Sequence, residues 1–190
     1  MSKHWYISHL VDKYTKKNKI GLDIGVGRNN WKKLKHGRFI GVDIKKTSSC
    51  DIQLNSENNL PFTENTFDVV MAINSLNYLR KSRHAMNEIN RVLKMSGIIV
   101  CVVDNEKSND YPNVWEQKYL NRLFDVSGFK SILNPVESFF SFWYSHRSVY
   151  AFGVGKKICH VNDVPEKKKS KKQNTLKFAK AYNVKTTHPV

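Results

Sequence analysis

The pattern of apolar and polar residues along the chain predicts alternating strands and helices. Seven short apolar segments are typical of strands, the third only weakly: residues 20–24, 38–43, 51–54, 67–73, 98–103, 130–135 and 148–154. Four helical segments are predicted around them: residues 5–14, 30–35, 83–94 and 114–126. Ser82 is expected to cap the third of these helices at its N-terminus.

This alternation predicts a mostly parallel sheet of seven strands, covered by helices on both faces. No helical pattern separates the last two strands, so we expect a C-terminal hairpin that contributes one antiparallel strand. The sequence thus predicts one α/β domain over residues 1–155, which includes the N-terminal helix. Residues 156–190 have few large apolar side chains and many lysines, which predicts a lysine-rich tail.

The chain is strongly basic, with a formal net charge of +16. Both the domain and the tail contribute to this charge, which indicates a polyanionic partner. We expect nucleic acid, RNA more than DNA, to contact the basic surface and the tail from Lys156 to Lys185, and a larger nucleoprotein assembly is among the candidate partners. Drift in composition is the alternative, since AT-rich coding favours lysine over arginine. Such drift explains less readily why basic residues outnumber acidic ones by 32 to 16.

Several classes of protein are disfavoured by the composition. No apolar run approaches the roughly 20 residues that cross a membrane, and residues 1–19 lack the apolar core of a signal peptide. The three cysteines have no C-x-x-C spacing, which argues against a zinc site or a disulfide framework. We expect an intracellular protein in a reducing compartment, most simply the cytoplasm.

A glycine turn after the first strand is the main candidate for a binding site. Gly25 and Gly27 follow Asp23, and Asp43 ends the second strand 20 residues later. Glycines let the backbone approach a ligand, and an acidic residue at that distance can hold a ribose hydroxyl. The third glycine of the dinucleotide fingerprint is missing, as is the phosphate-loop pattern. The turn therefore favours an adenosine-type ligand that has no pyrophosphate.

Further motifs extend this pattern in a recognisable order. After the glycine turn and the segment 41–44 come Leu-Pro-Phe at 60–62, Phe-Asp-Val-Val at 67–70, and Glu-Ile-Asn-Arg-Val-Leu-Lys at 88–94 before Gly97. Together they resemble the class I S-adenosylmethionine-dependent methyltransferases, in the branch called methyltransferase type 11. The resemblance covers residues 18–155 and implies a Rossmann-like fold with S-adenosylmethionine as the cofactor.

The resemblance also implies a cofactor role for nine residues. Asp43 would accept hydrogen bonds from the ribose hydroxyls, Ile44 would pack on the adenine, and Asn55 would lie near the adenine amino group. The methionine and ribose side would be lined by Asp23, Gly25, Val26, Gly27, Ile73 and Asn74. Ordinary core packing is the alternative role for Ile44 and Ile73, and a strand-end cap is the alternative for Asp43.

The sequence departs from the family at a few positions. Asn29 stands where a third glycine or small residue is usual, and asparagine tolerates the left-handed backbone that a glycine would adopt. Asn74-Ser75 does not make the motif of enzymes that methylate exocyclic amines of bases. No catalytic residue can be assigned: His36, His84 and His146 are candidates only by residue type.

Two aromatic and basic segments leave alternatives open. Residues 139–147 combine five aromatic side chains with His146 and Arg147, and they either stack on bases or cover the sheet edge and the acceptor pocket. Trp31 and its neighbouring lysines, which include Lys35, either contact a polyanion or form a solvated helix face.

Three functions remain open at this point. The chain is a methyltransferase that acts on nucleic acid, one that acts on a small molecule or a protein, or an inactive module of a nucleoprotein assembly.

Overall fold

The computed structural model describes residues 3–16, 19–104, 117–133, 137–138 and 150–164. The helices and strands follow in this order: α1 (Lys3–Tyr14), β1 (Lys19–Ile24), β2 (Gly37–Asp43), β3 (Ile52–Gln53), β4 (Phe67–Ile73), α2 (Ser82–Val92), β5 (Leu93–Asp104), α3 (Gln117–Val126), β6 (Phe129–Ser131) and β7 (Tyr150–Lys157). Short 3-10 helices cover Lys32–Leu34, Leu76–Tyr78 and Val161–Asp163.

The seven strands form one sheet in the order β3-β2-β1-β4-β5-β7-β6. Strands β1 to β5 pair in parallel, whereas β7 runs antiparallel to both β5 and β6. This arrangement confirms the predicted mostly parallel sheet with its single antiparallel strand. The strand order reverses between β1 and β4, so the loops after these two strands diverge and leave a crevice at their carboxyl ends.

Both faces of the sheet are covered, as predicted. Helices α2 and α3 pack on one face, where Met86, Ile89 and Phe124 join the core. Helix α1 packs on the other face, where Tyr6 and Leu10 join a second apolar cluster. Strands β4 and β5 contribute to both clusters, which explains why their sequences are almost continuously apolar. No helix in the described part of the chain is long and apolar enough to cross a membrane.

The connections differ from the prediction in two places. Residues 25–36 form no α-helix, and the expected helix there is reduced to the 3-10 turn Lys32–Leu34. Helix α2 ends two residues early, because Leu93 already pairs with Phe67 of β4. The register of β5 then shifts before Ile98, and Ser96 adopts a φ of 65° within the shifted segment.

The predicted N-cap of α2 is wrong. Ser82 is the first residue of the helix, and Lys81 occupies the cap position without a side-chain hydrogen bond. The Ser82 hydroxyl lies 3.1 Å from the hydroxyl of Tyr119, so it links α2 to α3. A side chain recruited by tertiary packing is not available to cap its own helix.

Two of the recognised sequence motifs bind each other. Glu88 on α2 accepts the Leu60 N–H at 2.8 Å. Arg91 donates to the carbonyl oxygens of Leu60 and Phe62 at 2.9 and 2.8 Å, and it also pairs with Glu88. These contacts fix the loop that leads into β4, so the two motifs serve the scaffold.

The C-terminal strand continues past the predicted limit of the domain. Lys157, which the lysine-rich composition placed in the tail, lies in β7 and is 1% exposed. Its ammonium donates to the carbonyl oxygens of Asn90 and Leu93, each at 2.8 Å, and to Asn65 Oδ1 at 3.2 Å. These carbonyls lie at the C-terminal end of α2, where a cation is favourable. Residues 165–190 lie outside the described residues.

Replacing Glu88 by glutamine should lower the free energy of unfolding by about 1–2 kcal/mol at neutral pH. The Arg91 guanidinium, with help from the Leu60 N–H and against the effect of burial, holds the pKa of Glu88 below its usual range. The carboxylate therefore stabilises the fold above its unfolded-state pKa of about 4.3, and this contribution disappears as the pH falls through the lower pKa of the folded state. Urea unfolding from pH 7 to pH 3 should show the difference between Glu88→Gln and the unaltered protein shrinking below about pH 4.3. A difference that stays constant over this range contradicts the role given to the carboxylate, and Glu64→Gln, at an exposed carboxylate, is the control.

Lys157→Met should destabilise the protein by about 2–3 kcal/mol, because it removes the charged donor that binds the carbonyl oxygens of Asn90 and Leu93. Lys156→Met, at the exposed neighbouring lysine, should change the free energy of unfolding by less than about 0.5 kcal/mol. Urea unfolding of both variants measures the difference. Equal effects would show that the Lys157 hydrogen bonds add nothing to stability.

Candidate functional site

Two neighbouring cavities lie at the carboxyl ends of the parallel strands, beside the crevice between β1 and β4. The larger has a volume of about 560 Å³ and the smaller about 210 Å³. Gly25, Gly27 and Asn74 line both cavities. One extended ligand can therefore reach from one cavity into the other.

The glycine loop after β1 is held open by left-handed backbone. Gly25, Gly27 and Asn29 have φ values of 72°, 50° and 53°. A Cβ atom on Gly25 would lie 2.4 Å from the Cβ of Ser75, so this position has no room for a side chain. Asn29 adopts the conformation that the missing third glycine would supply, which preserves the turn.

Asp43 joins this loop to the end of β2. Its Oδ2 accepts the Gly27 N–H at 2.9 Å, and its Oδ1 accepts the Lys45 N–H at 2.9 Å. A carboxylate has about four acceptor positions, so two remain for a ligand. Asp43 also lines the larger cavity, and it thus acts as a strand-end cap while its carboxylate stays within reach of that cavity.

The rest of the larger cavity has an apolar side and a polar side. Ile44 lines it and is 61% exposed, which rules out ordinary core packing for this residue. Asn55 also lines it, and Asn55 Oδ1 accepts the Glu57 N–H at 2.9 Å. The Ser75 hydroxyl in the wall is buried and has no hydrogen-bond partner among the described residues, so it is free to bond a ligand or a water molecule.

Asp23 in the wall of the smaller cavity forms a buried ion pair with Lys35, which lies behind that wall. Lys35 Nζ lies 2.8 Å from Asp23 Oδ2, and the two side chains are 6% and 5% exposed. Burial raises the pKa of Asp23, and the Lys35 ammonium opposes that rise. Trp31 and Tyr150 add aromatic surface to the same cavity, and α1 contributes His4.

All nine residues predicted for the cofactor line at least one of these cavities. The larger is lined by Gly25, Gly27, Asp43, Ile44, Asn55 and Asn74, and the smaller by Asp23, Gly25, Val26, Gly27, Ile73 and Asn74. Ile73 also packs in the core, so the alternative role proposed for it from sequence applies as well.

The histidines that were candidates by residue type lie elsewhere or are not described. His36 pairs with Asp12 at 2.7 Å, and neither His36 nor His84 lines a cavity. His146 and the aromatic segment 139–147 lie outside the described residues. His4 lines the smaller cavity, and no sequence signal distinguished it from a surface residue at the start of a helix.

The lining of the two cavities fits S-adenosylmethionine. The larger cavity offers a carboxylate for ribose hydroxyls, an exposed isoleucine for a flat base and an unpaired hydroxyl. The smaller offers the Asp23 carboxylate, which can accept hydrogen bonds from an ammonium group. The glycine loop between them brings the backbone close to whatever connects the two ends of the ligand.

Comparisons with known proteins agree with this fit. Residues 22–101 match the family model described as a methyltransferase domain. An uncharacterized protein of Methanocaldococcus jannaschii is 33% identical over 144 residues, which cover 66% of this chain and 62% of that protein. The chain therefore spans less than two thirds of the length of this relative.

Solved structures show the same fold at low sequence identity. A methyltransferase of Haloferax volcanii, solved in complex with the Trm112 methyltransferase activator, superposes with a TM-score of 0.62 at 17% identity, covering 83% of this chain and 91% of that one. The 1,6-didemethyltoxoflavin-N1-methyltransferase of Burkholderia thailandensis, solved with bound 1,6-didemethyltoxoflavin and S-adenosylhomocysteine, has a TM-score of 0.62 at 13% identity, covering 80% and 77%. Residues 22–101 thus form a methyltransferase domain, and the chain shares the fold of these two solved methyltransferases.

Proposed function

We propose that this chain is an active S-adenosylmethionine-dependent methyltransferase that acts on nucleic acid, with RNA favoured over DNA. The observation that supports activity best is the Asp43 carboxylate, which holds the glycine loop and lines the larger cavity with acceptor positions to spare. A loop that had decayed to a scaffold would not need to keep that geometry.

In this proposal the nine predicted residues hold the cofactor. Asp43 binds the ribose, Ile44 covers the adenine and Asn55 lies beside its amino group. Asp23 binds the amino acid end, and the remaining five residues enclose the centre of the ligand: Gly25, Val26, Gly27, Ile73 and Asn74. Ser75 is a tenth contact, because its buried hydroxyl lines the larger cavity and has no partner among the described residues.

The protein's part in the reaction is to position the acceptor. When bound here, S-adenosylmethionine would supply an electrophilic methyl group on its sulfonium, and transfer of that methyl to the acceptor would release S-adenosylhomocysteine. The acceptor has to lie in line with that methyl group, and such positioning contributes roughly 7–11 kcal/mol. An imidazole accepts protons near neutral pH, so His4 is the group to test if the acceptor must lose a proton.

The charge distribution supports a nucleic-acid acceptor. Arg28 lines the smaller cavity, and Lys45 and Arg80 line the larger one, all three with exposed side chains. Lys32 and Lys33 add two exposed cations to the connection that follows the glycine loop. The lysine-rich tail, which we propose begins after the end of β7, would add nonspecific phosphate contacts.

A small-molecule acceptor is the second candidate. Trp31, Tyr150 and His4 add ring surfaces to the wall of the smaller cavity, against which a planar ring can stack next to the cofactor's amino acid end. The Burkholderia neighbour, which shares the fold, was solved with 1,6-didemethyltoxoflavin bound.

The Haloferax neighbour was solved with a protein activator, so a protein partner of this chain is a further proposal. The described cysteines are free thiols, which supports a reducing compartment.

Asp43→Ala should weaken S-adenosylmethionine binding at least tenfold, because it removes the acceptors for the ribose and releases the glycine loop. Asp51→Ala is the matched control, since Asp51 also accepts one backbone N–H, from Gly41 at 2.7 Å, but lines neither cavity. Calorimetric titration of the three proteins measures the affinities. If the unaltered protein binds no cofactor, the enzyme proposal fails.

Incubation with methyl-labelled cofactor and separate RNA, DNA, protein and metabolite pools should label RNA. Charge reversal at Arg28 and Lys45 should then lower RNA affinity and reduce the salt slope by about 1 for each phosphate that the variant no longer binds. Lys130→Glu, on β6 at the opposite edge of the sheet, should change neither quantity. Label in the metabolite pool alone would favour the small-molecule candidate.

A further inference from the structure

The ion pair between Lys35 and Asp23 is the buried charged feature that the proposed cofactor contacts leave unexplained. Lys35 lies in the connection between β1 and β2, where it follows Trp31, Lys32 and Lys33. Its ammonium does not face solvent with Lys32 and Lys33, because it reaches inward to Asp23 Oδ2 at 2.8 Å. Burying a lysine costs free energy unless its charge is matched, so this geometry needs a reason.

The backbone around Lys35 is fixed from α1. Thr15 follows that helix directly and is fully buried. Its Oγ1 lies 3.2 Å from the Leu34 carbonyl oxygen, and the same Oγ1 accepts the His36 N–H at 3.3 Å. The Lys35 ammonium also lies 5.2 Å from the ring centroid of Phe39 on β2. That ring covers Gly21, where a Cβ atom would come within 2.2 Å of it. The position of Lys35 is therefore fixed both by the Thr15 contacts to its neighbours' backbone and by the contact of its ammonium with Phe39.

Asp23 has one carboxylate oxygen engaged and one available. Oδ2 accepts the Lys35 hydrogen bond, whereas Oδ1 accepts none from the residues that the structure describes. Asp23 lines the smaller cavity beside Gly25 and Gly27. One oxygen thus anchors the side chain, and the other can meet a ligand.

We propose that Lys35 is a positioning residue for the cofactor's amino acid end: it holds Asp23 Oδ2 and so fixes the orientation of the carboxylate, which leaves Oδ1 to accept the α-ammonium group. The inference rests on the proposed function, since it assigns a ligand end to the smaller cavity. Lys35 itself does not line either cavity, so it acts through Asp23.

The physical need for such a residue follows from the burial of Asp23. Burial favours the neutral carboxyl and raises the pKa of Asp23, and the nearby Asp43 carboxylate adds to that effect. A neutral carboxyl would offer no charge to an ammonium group. The Lys35 cation, placed behind the carboxylate, opposes this rise without occupying the ligand's place.

The test compares two neutral thioethers that differ in the end that Asp23 is proposed to bind. S-adenosylhomocysteine carries the amino acid chain, and 5′-methylthioadenosine has only a methyl group in its place but keeps the adenosine. Lys35→Met should lower the affinity for S-adenosylhomocysteine by about 10- to 100-fold, the loss expected for a charge-assisted hydrogen bond. Its affinity for 5′-methylthioadenosine should change less than about twofold, within the scatter expected for surface changes. Calorimetric titration of both ligands measures the split.

Three further variants control the comparison. Lys33→Met removes a lysine charge from an exposed position two residues before Lys35 in the chain. It should change neither affinity. Lys35→Arg should restore part of the preference for S-adenosylhomocysteine over 5′-methylthioadenosine, because it restores the cation. If Lys35→Met does not fold, Asp23→Asn provides the second route, and it should lose the same preference while still binding 5′-methylthioadenosine.

The outcomes separate this inference from the proposed function. An unaltered protein that binds neither ligand overturns both. If the unaltered protein binds both ligands and Lys35→Met weakens them equally, or weakens neither, the ion pair serves only the fold and the inference is wrong.

Discussion

The shape of the candidate site depends on the carboxylate of Asp43. It stands at the end of β2 and accepts an N–H from the glycine loop after β1 and another from the loop after β2. Both loops are thereby fixed relative to one parallel strand pair, and the larger cavity forms between them. Without this link the left-handed backbone at Gly25 and Gly27 would have many alternatives. The same group that organises the loop is the one that we propose binds the ribose.

The motifs that carry the family resemblance divide into two groups: one lines the cavities, and the other holds the scaffold. The glycine turn and Asp43 line the cavities, whereas Glu88 and Arg91 bind the Leu60–Phe62 segment away from them. The second group serves the site indirectly, because it fixes the loop that leads into β4. Ile73, at the end of β4, and Asn74, directly after it, line the smaller cavity. A sequence match to the second group therefore reports on the scaffold, and only the first reports on chemistry.

Much of this architecture follows from local sequence pattern. Apolar runs predicted β4 with the correct limits, and the Gly25, Gly27 and Asp43 spacing led to residues that line one site. Burial of charged side chains could not be predicted, because Lys35 and Lys157 sit among other lysines and their partners are distant in sequence. The end of α2 was misjudged for a similar reason: pairing of Leu93 with β4 overrode its helical pattern. His4 was missed because only the packing of α1 brings it to the smaller cavity.

A crystal structure of the full chain with S-adenosylhomocysteine tests the proposed cofactor site most directly. We expect both ribose hydroxyls to lie within hydrogen-bond distance of the Asp43 carboxylate, and the ammonium group of the amino acid end to lie on Asp23 Oδ1 with the Lys35 hydrogen bond intact. A ligand that binds elsewhere, or one whose ribose makes no contact with Asp43, would contradict this assignment.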